Sequence, residues 1–150
     1  MEHTPEIQKQ YFQFAYQTGS DIWSHIPYRY TAEQMIPRME RDSLVLDIGA
    51  GRGLWAAKLV GLGYRVLGID YVESIVQKVN TQIKDEGYAD RARFMVGNVL
   101  DIPFVDNGFD LITDIGTLEF VSIHVCVYVW VNICIYDFKN LRHLIPLKEV

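Results

Sequence analysis

An acid followed by three alternating glycines is the part of the sequence best suited to chemistry. Asp47 lies near the end of a short apolar segment, and Gly49, Gly51 and Gly53 follow at every second position. Glycines permit a tight turn and let a ligand approach the backbone closely, because no Cβ intervenes. The apolar segment predicts a buried strand, and residues 54–60 predict a helix. Strand, turn and helix start together predict a nucleotide-binding pocket at the carboxyl edge of a sheet.

A second acid ends the next apolar segment. Residues 64–70 predict a strand, and Asp70 at its end follows Gly51 by 19 residues. Doubly wound nucleotide sites place a carboxylate on the ribose at this interval. A carboxylate accepts from both the 2′ and the 3′ hydroxyl, and each charge-assisted bond contributes on the order of 1.5–3 kcal/mol. The alternative is that Asp70 caps the next helix, and one carboxylate can do both.

Leu54 and Asp47 indicate which nucleotide the pocket takes. The dinucleotide fingerprint G-x-G-x-x-G requires glycine at position 54, where this chain has leucine. Asp47 would repel a pyrophosphate but suits a cation. The pattern D-x-G-x-G-x-G instead resembles motif I of the class I S-adenosylmethionine-dependent methyltransferases. In that family the turn surrounds the methionine part of the cofactor, which carries an ammonium and a sulfonium.

Two later segments extend the resemblance. Residues 92–96 predict a third strand, and Asn98 and Val99 follow in the turn that meets the adenine in the family. An aspartate often accepts from the adenine amine there, and the amide oxygen of Asn98 can do the same. Residues 100–112 are similar to the family's segment before strand four, which is predicted at 109–115. The end of that strand, with Asp114, should face the transferable methyl group.

The resemblance implies a set of cofactor-binding residues, no metal, and no identifiable catalytic residue. The cofactor-binding residues are Asp47, Gly49, Ala50, Gly51, Gly53, Asp70, Tyr71, Asn98, Val99 and Asp114. Methyl transfer from a sulfonium has a good leaving group in place, so the protein mainly supplies proximity and orientation. A general base is needed only where the acceptor must lose a proton. Glu119 and His124 follow strand four, and neither is assigned a catalytic role.

The residues before the first strand predict two helices. Residues 5–18 have apolar side chains at helical spacing, and Gly19 closes the segment. This helix either packs against the sheet or, as in similar proteins, covers the cofactor. Residues 31–34 form a capping box, which predicts a second helix through residue 39.

Length, charge and cysteine positions restrict the class of protein. The chain has 150 residues and a net charge of −5. One domain with a substantial core is expected, and neither nucleic acid nor a membrane is expected as a partner. The first residues do not resemble a signal peptide. Cys126 and Cys134 would lie about 26 Å apart on one strand, beyond disulfide reach. A reducing, cytoplasmic location is therefore expected.

The resemblance covers roughly residues 10–120 and then ends. Residues 121–136 are uncharged and β-prone, whereas the family's parallel fifth strand needs a crossover of a dozen or more residues. The segment is an unusual strand beside strand four, an interfacial or dimer strand, or sequence foreign to the fold from an intron or a shifted frame. We favour the last, which a comparison of genomic DNA with the transcript tests. Without the later strands, strand four is expected to have an uncovered edge.

Together these patterns predict an α/β fold, a Rossmann-like doubly wound sheet that forms a partial class I methyltransferase fold. Residues 1–42 are expected to form an amino-terminal helical or lid segment, 43–120 the cofactor-binding core, and 121–150 an atypical apolar tail. The implied function is methyl transfer from S-adenosylmethionine to an unknown acceptor, a small molecule or a protein side chain. One alternative is a truncated chain that binds cofactor or a partner without catalysis. The other is a nicotinamide- or flavin-dependent Rossmann oxidoreductase, which Asp70 fits equally well.

Overall fold

The computed structural model describes residues 4–25, 36, 39–99, 101–104, 108–117 and 133–136. Within these ranges the helices are α1 (Pro5–Thr18), α2 (Leu54–Gly61) and α3 (Glu73–Asp85), and a single 3-10 turn spans Ile22–His25. The strands are β1 (Leu44–Ile48), β2 (Arg65–Asp70), β3 (Ala92–Val96), β4 (Leu111–Ile115) and β5 (Ile133–Tyr136). No helix in this part of the chain is both long and apolar enough to cross a membrane.

These strands form one sheet, and the chain crosses from one half of the sheet to the other next to β1. The strand order is β3-β2-β1-β4-β5. Strands β1 to β4 are parallel, and Asp47 of β1 lies between Gly68 of β2 and Thr113 of β4 in the register. The chain proceeds outward from β1 to β3 and then returns to the other side of β1 with β4. Open α/β sheets bind ligands at such a switch point, outside the carboxyl ends of the strands.

Apolar side chains cover both faces of the sheet. On one face Trp55 and Leu59 of α2 and Val76 of α3 pack in a cluster with Val45 and Phe94 of the sheet. A second cluster covers the other face, and its buried members are Leu46, Ile48, Ile69, Val99 and Ile112. Burial on both faces explains why β1 is an almost continuous apolar run broken only by its acid.

Local capping groups define both ends of α1. Thr4 Oγ1 accepts from the backbone N–H of Ile7 at 3.4 Å, and Pro5 begins the helix, where a backbone N–H would have no helical partner. Gly19 ends the helix with a φ of 71°. The predicted helix at 5–18 is therefore confirmed. The helix predicted through residue 39 lies largely outside the described residues.

The elements predicted for the core are confirmed, with one difference at the start of β4. The strand begins at Leu111 and not at residue 109. Asp110 precedes it, and its Oδ2 accepts from the Leu44 N–H at 2.8 Å while its own N–H donates to Leu44 O at 2.9 Å. These bonds bring the starts of β1 and β4 together, so Asp110 has a structural role at the amino edge of the sheet.

The expectation that β4 would have an uncovered edge is wrong. β5 pairs with it in antiparallel fashion, from Ile112 opposite Tyr136 to Ile115 opposite Ile133. An open strand edge presents unpaired N–H and C=O groups, and a β-prone segment satisfies them. This arrangement corresponds to an unusual strand beside strand four, the first of the three explanations for residues 121–136. The favoured origin of that segment in an intron or a shifted frame stays a prediction for nucleotide sequencing.

Candidate cofactor site

The glycine turn after β1 has a backbone conformation that other residues rarely adopt. The φ angles of Gly49, Gly51 and Gly53 are 63°, 50° and 72°. A Cβ at Gly49 would lie 1.7 Å from Thr117 Oγ1, and one at Gly53 would lie 2.9 Å from Val79 Cγ1. The Ala50 N–H donates to Ile69 O at 2.9 Å and so connects the turn to β2. The turn therefore needs glycine both for its angles and for its close packing.

Asp47, two residues before the first glycine of this turn, has a buried carboxylate. Asp47 is 2% exposed, and its Oδ1 accepts from the Thr113 hydroxyl at 2.9 Å. Its Oδ2 has no hydrogen-bond partner among the described residues. Burial raises the pKa of Asp47 to about 7, and the negative charges of Asp114 and Asp70 act in the same direction. An unpartnered buried oxygen with a raised pKa is well suited to accept from a cation.

Asp70 has the predicted position at the end of β2, and both of its carboxylate oxygens accept from backbone N–H groups. Its Oδ1 accepts from the Val72 N–H at 2.9 Å and its Oδ2 from the Gly51 N–H at 3.0 Å. The Tyr16 hydroxyl also bonds to the carboxylate; burial raises the pKa of Asp70, and these bonds oppose that shift. Val72 precedes α3, whose amino terminus has no side-chain cap, so the alternative in which Asp70 caps this helix is wrong. The ribose contact stays a prediction.

Asp114 is the penultimate residue of β4 and lies opposite Ile48 of β1 in the register. It is 1% exposed, and its Oδ1 accepts from the Thr117 N–H at 2.9 Å. Thr117 Oγ1 in turn donates to Ile48 O at 3.3 Å. The two bonds hold the Thr117 side chain against Gly49. Asp114 thus shapes the turn that faces the glycine turn, a structural contribution that its position in the sequence did not reveal.

The remaining predicted residues lie along the same edge. Tyr71 is partly buried and contacts the Phe12 ring edge-on, with centroids 5.9 Å apart. Burial and the Asp70 charge raise the pKa of its hydroxyl. Asn98 follows β3, where its carbonyl oxygen accepts from the Asp101 N–H at 2.9 Å. Val99 packs in the second apolar cluster, which leaves its backbone as the part suited to a polar ligand.

The carboxyl edge of the sheet therefore brings together the predicted acids and glycines. Sequence patterns alone did not identify Tyr16, Arg52, Thr113 or Thr117 as neighbours of this site. Glu119 and His124 lie outside the described residues. Within the described ranges, His, Cys, Asp and Glu side chains form no group of three or more that could hold a metal ion.

Comparison with known families identifies the domain. Residues 45–133, more than half of the chain, match the model of the methyltransferase domain. The chain belongs to the methyltransferase domain family. The predicted resemblance to class I S-adenosylmethionine-dependent methyltransferases is confirmed, and the matched region extends beyond residue 120, where the sequence predicted that the likeness would end.

Two relatives illustrate the breadth of the family. The domain is 32% identical over 84 residues to human EEF1A lysine methyltransferase 2, an alignment that covers 55% of this chain and 35% of the relative. It is 35% identical over 88 residues to the ubiquinone/menaquinone biosynthesis C-methyltransferase UbiE of Azotobacter vinelandii, covering 57% of this chain and 34% of the relative. The chain thus spans about a third of the length of these curated relatives.

A solved structure supports the fold. A candidate S-adenosyl-L-methionine-dependent methyltransferase from Methanococcus maripaludis superposes with a TM-score of 0.61 at 23% identity, covering 82% of this chain and 57% of that one. At this identity the likeness concerns the fold alone. The Rossmann-like, partial class I methyltransferase fold of this domain is therefore confirmed.

Proposed function

We propose that this methyltransferase domain binds S-adenosylmethionine at the carboxyl edge of its sheet and transfers the methyl group to an acceptor. The observation that carries the proposal is the buried Asp47 of β1, which stands two residues before the glycine turn and whose Oδ2 has no partner among the described residues. Ionising such a buried carboxylate is costly unless a cation pairs with it. A cationic cofactor, as used by this family, would supply that partner.

Each proposed contact follows from the chemistry of the residue concerned. Asp47 accepts from the ammonium of the cofactor, and the turn formed by Gly49, Ala50, Gly51 and Gly53 surrounds its methionine part. Asp70 accepts from the ribose hydroxyls, which share its carboxylate with the protein donors.

The other residues at the carboxyl edge of the sheet are proposed to contact the adenine and the methyl-bearing end of the cofactor. The Asn98 amide oxygen and the Val99 backbone N–H meet the adenine, and Tyr71 lies beside Asp70. Asp114 supports the turn nearest the methyl group. Bound S-adenosylmethionine supplies an electrophilic methyl with its leaving group in place, and the protein contributes orientation.

The acceptor is proposed only as a class. One relative is named for methylating a lysine of a protein and the other for methylating carbon in quinone biosynthesis. We therefore keep a protein side chain and a small molecule as the two acceptor classes. A cytoplasmic location, an amino-terminal segment at 1–42, a core at 43–120 and a tail at 121–150 belong to the same proposal.

A second candidate is cofactor or partner binding without catalysis. One observation favours it: an antiparallel strand occupies the edge of β4, where the family's fifth strand would be parallel. Incubation with methyl-labelled S-adenosylmethionine and acceptors of both classes distinguishes the two. Labelled product supports the enzyme, and tight binding with no labelled product from either class supports the second candidate.

The proposed ribose contact can be tested with a thermodynamic cycle, in which the Asp70 side chain and the ribose hydroxyls are removed separately and together. Wild type is expected to bind the 2′,3′-dideoxy analogue of S-adenosylhomocysteine about tenfold more weakly than the parent, because charge-assisted bonds are lost. Asp70→Ala is expected to discriminate the two ligands by less than about threefold, since the shared interaction is already gone. Calorimetry on both ligands measures the cycle.

Asp110→Ala is the matched control for this cycle. Asp110 stands directly before β4 and also accepts from a backbone N–H, that of Leu44, but at the amino edge of the sheet. It should keep full discrimination between the ligands. Equal discrimination in wild type and Asp70→Ala would show that Asp70 makes no ribose contact and has only a structural role.

Cofactor affinity is expected to depend on pH through Asp47. Its pKa of about 7 in the ligand-free protein means that the carboxyl is largely protonated below that pH. A bound ammonium favours the ionised form, so binding releases a proton and affinity falls as pH falls. S-adenosylhomocysteine should bind about tenfold more tightly at pH 7 than at pH 5.5. A flat profile in wild type would contradict the ion pair, and Asp47→Asn should give a flat profile.

A further inference from the structure

Arg52 connects the glycine turn to the amino-terminal helix. It stands between Gly51 and Gly53, and its side chain reaches back to residues just after α1. Its Nε donates to Asp21 Oδ2 at 2.6 Å and its Nη2 to Asp21 Oδ1 at 2.5 Å. The same Nη2 donates to Tyr16 O at 3.0 Å. One guanidinium therefore holds both an acid and a backbone carbonyl of the amino-terminal segment.

The ion pair is shielded and geometrically specific. Asp21 is 0% exposed, and the Arg52 side chain is 22% exposed. The Arg52 guanidinium lowers the pKa of Asp21 to about 2, so the acid stays ionised at any pH where the protein would be used. The guanidinium also lies over the Tyr16 ring, 5.6 Å from its centroid. Bidentate pairs of this kind orient their partners more strictly than single ion pairs.

The pair positions a side chain at the proposed site. Tyr16 belongs to the last turn of α1, and its hydroxyl lies 2.9 Å from the point that a Cβ of Gly51 would occupy. The same hydroxyl bonds to the Asp70 carboxylate. Tyr16 thus contacts the second glycine of the turn and the acid of β2 together. Its placement depends on the end of α1, which Arg52 and Asp21 hold.

We propose that Arg52 and Asp21 are positioning residues for the cofactor site. They fix the end of α1 on the glycine turn and so keep Tyr16 against Gly51 and Asp70, which makes cofactor affinity depend on a contact outside the pocket. This inference rests on the proposed function, because the affinity concerned is that for S-adenosylmethionine and its product. Independently of any ligand, the Arg52–Asp21 pair also holds α1 on the core.

Two measurements on the full chain test the proposal. The first is hydrogen exchange of the α1 amides, and the second is calorimetric titration with S-adenosylhomocysteine. The variants are Arg52→Gln, Arg52→Lys, Asp21→Asn and the Arg52→Gln/Asp21→Asn double variant. Arg91→Gln is the matched control, since Arg91 pairs with the exposed Asp42 at 2.9 Å.

Arg52→Gln is expected to speed exchange in α1 without changing β1–β3, and to weaken S-adenosylhomocysteine binding about tenfold, as loss of a charge-assisted contact does. Arg52→Lys keeps the charge but loses the bidentate geometry, so its affinity should lie between those of Arg52→Gln and wild type. The double variant should be no weaker than the weaker single variant, because both remove one interaction. Arg91→Gln should match wild type in both measurements.

Several outcomes would overturn the positioning role. They are unchanged α1 exchange in Arg52→Gln, faster α1 exchange with wild-type affinity, additive losses in the double variant, or faster exchange throughout the sheet. A folded wild type that does not bind S-adenosylhomocysteine would contradict the proposed function. The exchange measurement then decides alone whether the pair holds α1.

Discussion

Asp47→Asn is expected to stabilise the ligand-free protein and to weaken the binding of S-adenosylhomocysteine by about ten- to a hundredfold. This is the range for the loss of one charge-assisted bond to a buried acid. The variant keeps the shape of the side chain and removes its ionisation. The amide oxygen can still accept from the Thr113 hydroxyl, which now bonds to Oδ1 at 2.9 Å. What is lost is the carboxylate oxygen that faces the proposed ammonium.

The stability gain depends on pH in a definite direction. The pKa of Asp47 rises from 3.8 to about 7 on folding because the group is buried. Between these values the unfolded chain is ionised and the folded chain protonated, so rising pH progressively destabilises the fold, and the full penalty of about 4 kcal/mol applies above pH 7. An unpaired amide N–H₂ in Asp47→Asn costs about 1–3 kcal/mol. The net gain at pH 8 is therefore roughly 1–3 kcal/mol, and it shrinks toward pH 5.

Urea unfolding at pH 8 and pH 5, followed by calorimetry at pH 8, measures both halves of this prediction. Asp90→Asn, at an exposed acid, is the control and should change neither stability nor affinity appreciably. If Asp47→Asn destabilises the protein at pH 8, the buried carboxylate is already paired in the ligand-free state. If it binds S-adenosylhomocysteine as wild type does, the acid does not meet the ammonium.

Gly49→Ala is expected to destabilise the protein by about 2–5 kcal/mol and to reduce cofactor affinity by more than about tenfold. Two effects add at this position. The φ of 63° is unfavourable for alanine, and its Cβ would lie 1.7 Å from Thr117 Oγ1. The clash displaces either the glycine turn or the turn after β4, and both border the proposed site.

Three other glycine variants separate these effects. Gly61→Ala has an ordinary φ and open space around its Cβ, so it should be neutral or stabilising. Gly19→Ala has a φ of 71° but no neighbour within 4 Å, so it should cost only about 1–2 kcal/mol and leave affinity unchanged. Gly49→Ala/Thr117→Gly removes the clashing side chain and should recover part of the loss. Equal effects of the Gly49 and Gly19 substitutions in thermal unfolding would contradict the role of Thr117.

Features encoded by neighbouring residues were predictable from the sequence. The glycine turn and the glycine that ends α1 are local patterns, and each appeared where its pattern predicted. The bond from the Val72 N–H to Asp70 Oδ1 is equally local, because only two residues separate its partners. Local hydrogen bonding of this kind follows from backbone geometry alone.

Features that depend on distant pairings were not predictable. Arg52 and Asp21 are 31 residues apart, and no periodicity connects a turn residue with an acid after a different helix. The hydrogen bond from the Thr113 hydroxyl to Asp47 depends on the register between β1 and β4, which are separated in the sequence by two helices. A strand beside β4 was one of three explanations for the tail but not the favoured one, for the same reason: β-propensity was evident, but an antiparallel partner at the edge of β4 depends on tertiary contacts.

Calorimetric titration of the 150-residue protein with S-adenosylhomocysteine, and with NAD as control, tests the central claim most directly. The account predicts saturable binding of one equivalent of S-adenosylhomocysteine and no heat of binding with NAD. Binding of NAD, or no binding of either ligand by a protein whose circular dichroism shows the helices and strands described above, would contradict it.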